Sequence, residues 1–363
     1  MQSKTKPLRI IHYTESLGGG VMRALEGLVK VQIQDGFEVE IVYLRRGLTP
    51  NAKSLAQTYP SAKLVEIAKS SPIGLLKLML FEVNNMRKKQ RRIVHLHSSW
   101  AGFMIRPLSL LSFKTDYFYT PHGYAFLRQD TNRVMKSAFK LAEILLGKFT
   151  RCKTLACGKM EFDFANNINA SKSKYLGNYI SDPFLETTKV NDNKLQTTVG
   201  NIGRITAAKN PLAFARSTEN LPSSVRKVWI GDGDEEMKLI LEKSHIEITG
   251  WIPSKDAIIL MNDIDILIFT SLWEGLPIAA LEALAIGIPI VSSRYPGVDE
   301  IVSHGETGYI CDSVTEIELC VMKLLNNHKL RNLFGHNARL FFQNKFELSN
   351  LERCWKLVYE IER

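Results

Sequence analysis

Two carboxylates mark the most distinctive stretch of the sequence, TSLWEGLPIAALEALAIGIP at residues 270–289. Glu274 stands in a turn with glycine and proline, and Glu282 lies inside an apolar helix that we expect to end at Gly287. The N-terminus of such a helix offers unpaired backbone N–H groups and a positive dipole end, which suit phosphate. Carboxylates suit hydroxyl groups, so the stretch predicts a site for a polyhydroxylated, phosphate-bearing ligand.

A purely structural explanation of the two glutamates is an acidic helix start followed by one solvated side chain. Glu282, however, is flanked by Leu281, Ala283 and Leu284 on a helix with almost no polar face. A carboxylate in such surroundings is costly unless another group pairs with it. We therefore favour the ligand-binding interpretation.

Two cations stand in the loop after another predicted strand, residues 199–202. Arg204 and Lys209 are five positions apart and precede a predicted helix, which makes them a plausible clamp for a diphosphate. The acid pairs Asp232-x-Asp234 and Asp263-x-Asp265 resemble metal ligands, but a turn and a strand entry explain them better.

A glycine loop follows the first predicted strand, residues 8–14, and leads into a helix predicted over residues 21–34. Strand, glycine loop and helix are the usual phosphate-facing start of a doubly wound sheet. The pattern is weak, because Arg23 stands where the third glycine of the dinucleotide fingerprint would be. A turn that only reverses the chain is an equally good explanation of Gly18, Gly19 and Gly20.

Histidines follow two further predicted strands, His95 and His97 at residues 93–96 and His122 after residues 117–120. Ligands of parallel sheets bind at the carboxyl ends of the strands, where these side chains belong. We expect no zinc site, because we place His95 and His97 on opposite faces of their strand and no carboxylate or cysteine completes a ligand set. His122, between proline and glycine, is the histidine that we expect to contact a ligand.

The length and composition predict an ordinary two-domain globular protein. The chain has 363 residues, of which 45% are hydrophobic, and it shows no internal repeat. We see no signal peptide and no apolar run long enough to span a bilayer. The five cysteines form no CxxC pair and indicate reduced thiols, so we expect a cytoplasmic protein without a metal cofactor.

The charge is divided unevenly along the chain. Residues 1–185 carry 28 Lys and Arg against 13 Asp and Glu, whereas residues 186–363 carry 19 against 24. Such a basic half favours an anionic partner, and nucleic acid is disfavoured because no recognised motif and no interleaved stacking aromatics are present.

An apolar segment with a basic end, residues 71–92, is the strongest candidate for a contact with an anionic membrane. The alternative is a core helix followed by a solvated basic turn. The basic residues of the candidate are Arg87, Lys88, Lys89, Arg91 and Arg92.

The order and spacing of these motifs resemble the family-4 retaining glycosyltransferases of GT-B fold, of the bacterial capsule, exopolysaccharide and O-antigen type. The resemblance covers most of the chain and is carried by Gly203-Arg204, Lys209, Gly231-Asp232-Gly233, Glu274-Gly275-x-Pro277, Glu282, His97-Ser98-Ser99-x-Ala101-Gly102 and Thr120-Pro121-His122-Gly123. One departure is Asn178-Tyr179-Ile180, where relatives usually have Asn-Gly, and it affects only the interdomain segment.

The resemblance implies an α/β protein of GT-B fold, with two Rossmann-like, doubly wound parallel-sheet domains that face each other across a cleft. We expect an acceptor-side domain at residues 1–185, a linker at 186–198 and a nucleotide-sugar-binding domain at 199–345. A C-terminal helix at residues 346–363 can cross back to the first domain. Glu274 and His122 would then lie on opposite domains, and domain closure would bring them to the same sugar.

The resemblance also implies a retaining, metal-independent hexosyltransferase. It would move a hexose or N-acetylhexosamine from a nucleotide sugar, with UDP preferred over GDP, to a polyprenyl-diphosphate-linked saccharide at the inner face of the membrane. The expected catalytic residues are His122, Arg204, Lys209 and Glu274. The expected donor-binding residues are Gly19, Gly20, Arg204, Lys209, Trp251, Ile252, Glu274, Gly275, Leu276, Pro277 and Glu282, and His97 with the basic residues at 87–92 is expected on the acceptor and membrane side.

Two other functions fit the same fold. A sugar-nucleotide epimerase would need acid and base carboxylates rather than an acceptor site, and a sugar-nucleotide-binding protein would need no catalysis. The combination of two cations with two glutamates favours transfer over both.

Overall fold

The computed structural model describes residues 8–47, 49–88, 91–128, 131–180 and 196–361. The chain divides into two compact units. The N-terminal unit comprises Met1–Ile180 together with Leu348–Arg363, and the C-terminal unit comprises Ser181–Glu347. The predicted linker at residues 186–198 therefore lies mostly outside the described ranges.

A seven-stranded parallel sheet forms the centre of the N-terminal unit, in the order β3-β2-β1-β4-β5-β6-β7. Its strands are β1 Arg9–Thr14, β2 Glu38–Arg45, β3 Lys63–Lys69, β4 Arg92–His97, β5 Thr115–Thr120, β6 Lys153–Ala156 and β7 Ser173–Tyr175. Its helices are α1 Gly19–Gln34, α2 Ala52–Thr58, α3 Pro72–Met86, α4 Ser99–Ile105, α5 Arg133–Phe149, α6 Lys159–Asn169 and, from the end of the chain, α13 Leu348–Val358.

Apolar side chains cover both faces of this sheet, as expected for a buried parallel sheet. Residues of α1 and α13 pack on one face, where the indole of Trp355 donates a hydrogen bond of 2.7 Å to Asp35. Residues of α3 and α4 pack on the other face. The strand order reverses between β1 and β4, so the carboxyl ends of these two strands are the switch point at which such sheets bind ligands.

A six-stranded parallel sheet forms the centre of the C-terminal unit, in the order β10-β9-β8-β11-β12-β13. Its strands are β8 Thr198–Ile202, β9 Arg226–Ile230, β10 Glu247–Ile248, β11 Ile266–Phe269, β12 Ile290–Ser293 and β13 Gly308–Cys311. Its helices are α7 Pro211–Ser217, α8 Glu235–Lys243, α9 Ser254–Met261, α10 Ile278–Ile286, α11 Val314–Asn326 and α12 His328–Lys345. The switch point of this sheet lies between β8 and β11.

Helix α10 is buried along nearly its whole length, which explains its Ala- and Leu-rich sequence. It ends at Gly287, whose left-handed φ of 84° is the expected glycine C-cap. A side chain at Gly335 of α12 would meet the Gly287 carbonyl oxygen at 2.3 Å, so glycine is required for the two helices to approach. The guanidinium of Arg339, also on α12, donates to the carbonyl of Ala285. Helix α12 thus fixes the position of α10.

The prediction of two doubly wound parallel-sheet domains is confirmed. None of the helices within the described ranges combines the length and apolar composition needed to cross a bilayer. The five cysteines are all free thiols, and three of them are buried.

Candidate functional site

The loop after β8 holds Arg204 and Lys209 at the switch point of the C-terminal sheet. Gly203 has a φ of 128°, and a side chain there would meet Cε of Lys209 at 3.0 Å. Glycine therefore leaves room for the lysine stem. The hydroxyl of Thr270, at the end of β11, donates to the Lys209 carbonyl at 2.8 Å and fixes the loop. Arg204 itself is exposed.

Lys209 and Glu274 form an ion pair in this unit. Nζ of Lys209 lies 2.7 Å from Oε1 of Glu274 and 4.2 Å from the centroid of the Phe269 ring. The Ser271 hydroxyl donates to the same carboxylate oxygen at 2.8 Å. Both charged side chains are largely shielded from solvent, with relative exposures of 14% and 18%. The structure thus brings together one cation and one carboxylate that the sequence placed 65 positions apart.

The turn that carries Glu274 leads directly into α10. Gly275 is half-buried, Leu276 and Pro277 are buried, and Pro277 is the N-cap residue of the helix. The first turn of a helix leaves backbone N–H groups without intrahelical partners, and these groups attract anions. Glu282 follows in the next turn and is only 7% exposed. The predicted donor-binding residues from Glu274 to Glu282 are therefore contiguous in one rigid segment.

A neighbouring buried hydroxyl in the C-terminal unit was not predicted from the sequence. Tyr295 Oη has no hydrogen-bond partner among the described residues. Burial raises the pKa of this phenol, and the charge of Glu274 acts in the same direction. The sequence contains no motif around Tyr295 that would single it out.

The other predicted positions of this unit have simpler surroundings. Trp251 is 56% exposed after β10, and Ile252 beside it is half-buried. Asp232 pairs with Lys238 at 3.0 Å, and Asp234 accepts from the amide of Met237 at 3.1 Å at the start of α8. Hydrogen bonds therefore account for this acid pair, in agreement with its interpretation as a structural turn.

The glycine loop after β1 is open in the N-terminal unit. A side chain at Gly19 or Gly20 would meet no atom within 4 Å, and both residues lie in the first turn of α1, two positions earlier than predicted. Glu15, just before the loop, is buried, and its carboxylate accepts from the amide of Ala101 at 3.0 Å. Burial raises the pKa of Glu15, in opposition to this hydrogen bond.

Histidines from the neighbouring strands β1 and β4 meet in the N-terminal unit. The prediction that His95 and His97 point to opposite faces is wrong, because residues two apart in a strand share a face. Their ring centroids are 4.0 Å apart, and His12 from β1 lies beside both. His12 was missed because nothing adjacent to it in sequence marks it, although a buried polar residue inside a strand is itself a signal.

The three rings lie close together, and His12 is hydrogen-bonded to His97. Potential ligand atoms of His12, His95 and His97 lie within 4.8 Å of one another. Each ring, however, uses both nitrogens in hydrogen bonds to Gln32, Thr120, Tyr359, His122 or a neighbouring histidine. A metal would have to displace these partners, so the geometry fits a hydrogen-bond network better. The absence of a metal remains a prediction.

His122 adopts an unusual backbone conformation for a residue other than glycine. Its φ is 52°, and Ser98 at the end of β4 has a φ of 72°. Such strain is costly and clusters at functional sites. His122 and His97 both line one cavity of the N-terminal unit. His97 itself is only 2% exposed, so its predicted contact with an acceptor is not available at the surface of this unit.

The predicted basic run at residues 87–92 is only partly a surface feature. Arg87, Lys88 and Arg91 are exposed, and Lys89 lies outside the described residues. The prediction for Arg92 is wrong, because it is the first residue of β4 and is 3% exposed. Its guanidinium pairs with the buried carboxylate of Glu82 at 2.6 Å, so it does not face a membrane.

Comparison with known proteins decides the family of the C-terminal part. The model of the family Glycosyl transferases group 1 matches residues 186–341. These residues form a group 1 glycosyl transferase domain. This domain contains Arg204, Lys209, Glu274 and Glu282, and the resemblance stated from the sequence is confirmed.

Two curated relatives match most of the chain. A Klebsiella pneumoniae protein described as "Uncharacterized 41.2 kDa protein in cps region" is 24% identical over 97% of this chain and 99% of its own length. The UDP-Gal:alpha-D-GlcNAc-diphosphoundecaprenol alpha-1,3-galactosyltransferase of Escherichia coli is 27% identical over 76% of this chain and 78% of its own length.

Solved structures confirm the GT-B fold over the length of the chain. Anabaena Alr3699/HepE, crystallised in complex with UDP and glucose, matches 98% of this chain and 100% of its own with a TM-score of 0.81. The sequence identity is 14%, so the likeness concerns the fold.

Proposed function

We propose that this protein is a retaining, metal-independent glycosyltransferase that uses a nucleotide sugar. The ion pair between Lys209 and Glu274 carries the proposal, because it places a cation and a carboxylate side by side at the switch point of the sheet. A cation suits the diphosphate of the donor, and a carboxylate suits the hydroxyls of its sugar.

The two cations of the β8 loop would stabilise the leaving diphosphate. Charge builds up on the diphosphate as the glycosidic bond breaks, so groups aimed at that charge contribute more in the transition state than in the ground state. Arg204 would bind through its planar fork and Lys209 as a point charge, assisted by the backbone N–H groups of Gly275 and Leu276; Pro277 has no N–H and would contribute only the fixed backbone of the turn. Fixed cations of this kind can supply the charge stabilisation that other enzymes obtain from a bound metal.

The remaining site residues would position the donor. We assign Glu282 to the ribose hydroxyls, Glu274 to the transferred sugar, and the backbone at Trp251 and Ile252 to the base. His122 would contact the transferred sugar, and Gly19 and Gly20 would approach the diphosphate. When the donor binds, Lys209 would exchange its contact with Glu274 for the diphosphate and so free the carboxylate for hydroxyl groups.

Retention of configuration is proposed to follow a front-face course. The bond between the anomeric carbon and the phosphate oxygen breaks, and that oxygen helps to take the proton of the acceptor hydroxyl while the new glycosidic bond forms on the same face. Because the departing phosphate oxygen acts as the base and the acceptor attacks the same face, this course needs no covalent intermediate on the protein.

The donor and the acceptor are proposed from the relatives. The E. coli relative is named for UDP-galactose and a diphosphoundecaprenol-linked sugar, and the Anabaena structure contains UDP and glucose. We propose a UDP-hexose or UDP-N-acetylhexosamine donor, with GDP as the alternative nucleotide. The acceptor would be a polyprenyl-diphosphate-linked saccharide in surface-polysaccharide synthesis.

A thermal-shift panel followed by product analysis tests this function. UDP-, GDP- and ADP-sugars would be compared first, and the donor that stabilises the protein most would be incubated with a lipid-diphosphate-linked sugar. We expect a new glycoside with the anomeric configuration of the donor, with or without a metal chelator. Conversion of the donor sugar without any acceptor would instead identify an epimerase, and inversion or loss of activity with chelator would contradict the mechanism.

We further propose that the N-terminal unit binds an anionic membrane through the helices α3, α4 and α5. Helix α3 contacts α4, and α4 contacts α5, so their outer faces are neighbours. Large apolar side chains are exposed on these helices, at Ile73, Leu76, Leu80, Trp100, Phe103, Val134, Met135, Leu141, Leu145 and Phe149. The segment after α4 exposes three more, Leu110, Leu111 and Phe113. The exposed cations Arg133, Lys140 and Lys148 alternate with the apolar residues of α5.

This apolar and basic combination is typical of helices that lie in the interface of an anionic bilayer. It extends the predicted membrane side, because Arg87, Lys88 and Arg91 follow directly after α3. The surface accounts for the positive balance of this half of the chain better than a solvated basic turn alone. Peripheral attachment to the inner face of the membrane is thus part of the proposal.

Replacement of Leu141 and Leu145 by glutamate is expected to reduce flotation with anionic vesicles at low salt by at least about fivefold. The change removes apolar area that the bilayer would bury, and it adds negative charges that the anionic lipids repel. Leu319→Glu, an exposed leucine of the C-terminal unit, serves as the matched control and should float like the unmodified protein. Arg87→Glu/Arg91→Glu should give a smaller loss. If the unmodified protein did not bind anionic vesicles at low salt, the membrane proposal would be wrong.

A further inference from the structure

Gln32 and three histidines of the N-terminal unit form one hydrogen-bonded chain. Oε1 of Gln32 lies 2.8 Å from Nε2 of His12, whose Nδ1 lies 2.9 Å from Nε2 of His97. Nδ1 of His97 lies 3.0 Å from Nε2 of His122. Gln32, His12 and His97 are buried, and His122 is half-buried at the end of the chain.

The protonation state of the chain follows from burial. Burial lowers the pKa of His12 and of His122 to about 4 and that of His97 well below its ordinary value. All three rings are therefore neutral near pH 7. A neutral imidazole has one N–H donor and one bare nitrogen, so each ring must donate in one direction and accept in the other.

Gln32 sets the direction. A carboxamide oxygen can only accept, so Nε2 of His12 carries the proton and its Nδ1 is bare. Nε2–H of His97 then donates to His12, and the bare Nδ1 of His97 accepts from Nε2–H of His122. The remaining nitrogen of His122, Nδ1, consequently holds a lone pair and no proton.

His95 is outside this chain and is fixed independently. The hydroxyl of Thr120 donates to the carbonyl of Leu155 at 2.7 Å, so its oxygen accepts from Nε2–H of His95 at 2.8 Å. The phenol of Tyr359 then donates to the bare Nδ1 of His95 at 2.5 Å. Tyr359 also interacts with Gln32, so the Thr120 hydroxyl is the contact of His95 that can be changed without touching the chain.

The end of the chain is accessible. Within the described ranges, no residue forms a hydrogen bond to Nδ1 of His122, and the ring lines a cavity with His97. The left-handed backbone of His122 holds the ring at this position at an energetic cost. Because Nε2 of His122 is bonded to His97, Nδ1 is the nitrogen that the ring offers to a ligand.

We propose that Gln32, His12 and His97 are positioning residues that fix the tautomer of His122, so that its Nδ1 accepts a hydrogen bond from a hydroxyl of the transferred sugar. The inference rests on the proposed function and deepens it, because it predicts the chemistry that His122 recognises. A donor whose relevant hydroxyl is replaced by fluorine cannot donate to Nδ1. Such a donor is expected to lose about three- to tenfold in kcat/KM, the effect of one neutral hydrogen bond.

Nitrogen-15 NMR of the ligand-free protein with labelled histidine tests the tautomer directly. We expect the Nε2–H form for His12, His97 and His122 near pH 7. The Gln32→Met variant lacks the acceptor and should show both tautomers at His122. Its kcat/KM should fall about three- to tenfold, the effect of losing one neutral hydrogen bond. Thr120→Val is the matched control, since the Thr120 hydroxyl is bonded to His95 and to the Leu155 carbonyl, and it should leave the tautomer of His122 unchanged.

The outcomes separate this inference from the proposed function. The Nδ1–H form of His122 in the unmodified protein would overturn the inference, whether or not Gln32→Met folds. An unchanged tautomer of His122 in a folded Gln32→Met protein would overturn it as well. The expected tautomers in a protein that transfers no sugar would support the positioning chain and contradict the proposed function.

Discussion

Replacement of Arg204 or Lys209 by alanine is expected to lower turnover about 100-fold or more, the effect of removing one preorganised charge contact to the transition state. Lys209 is placed for this role by Gly203, which leaves room for its stem, and by the hydrogen bond of its carbonyl to Thr270. Both variants should fold normally, because the backbone of the loop is fixed by groups other than these two side chains. Steady-state turnover with the nucleotide sugar at saturation is the measurement.

The two variants should differ in one respect. Lys209→Ala also removes the ion-pair partner of Glu274, whereas Arg204→Ala leaves that pair intact. Lys209→Ala should therefore also change how Glu274 binds the sugar of the donor, whereas Arg204→Ala should leave that carboxylate as it is. Lys243→Ala, on the exposed end of α8, is the control and should behave like the unmodified enzyme. Near-normal turnover in both site variants would contradict the assignment of the site.

The C-terminal half of the site could be predicted from the sequence because its determinants are local. Pro277 and Gly287 bound an apolar segment that can form only a buried helix, so the positions of Glu274 and Glu282 relative to it follow from the spacing. The strand before Gly203 could be predicted equally well from its sequence. The ion pair of Lys209 with Glu274 was not predicted, because the ligand-free contact depends on how two distant loops meet at the sheet.

The histidine chain could not be predicted, because it depends on the order of the strands. β1 and β4 are neighbours only because the sheet reverses between them, and their register places His12 beside His95. No spacing within the sequence contains that information. The misplacement of His97 was different in kind, since the period-2 rule alone would have put it on the same face as His95.

The prediction for Arg92 failed for a third reason. A row of Arg and Lys indicates charge but does not show where a strand begins, and β4 begins at Arg92. The side chain of Arg92 is therefore buried, while that of Arg91 is exposed. This difference between adjacent arginines leads to the second large prediction.

Arg92→Ala is expected to destabilise the N-terminal unit by about 3–5 kcal/mol, because it leaves a buried carboxylate without its countercharge. Glu82 is fully buried, and its carboxylate accepts from the hydroxyls of Tyr13 at 2.7 Å and Tyr117 at 2.6 Å as well as from Arg92. The two phenols donate hydrogen bonds but cannot neutralise the charge of Glu82, so the free-energy cost of burying that charge without Arg92 remains. Arg91→Ala, at an exposed position, should change the free energy of unfolding by less than about 0.5 kcal/mol.

Denaturant unfolding combined with hydrogen exchange would measure this difference, because exchange shows which unit loses protection. We expect Arg92→Ala to raise exchange in β1, β4 and β5 and to leave the C-terminal sheet unchanged. The double variant Glu82→Gln/Arg92→Met should recover much of the loss, since it removes both charges and keeps similar volumes. A stable Arg92→Ala protein that no longer binds anionic vesicles would show instead that Arg92 acts at the membrane surface, as the sequence alone suggested.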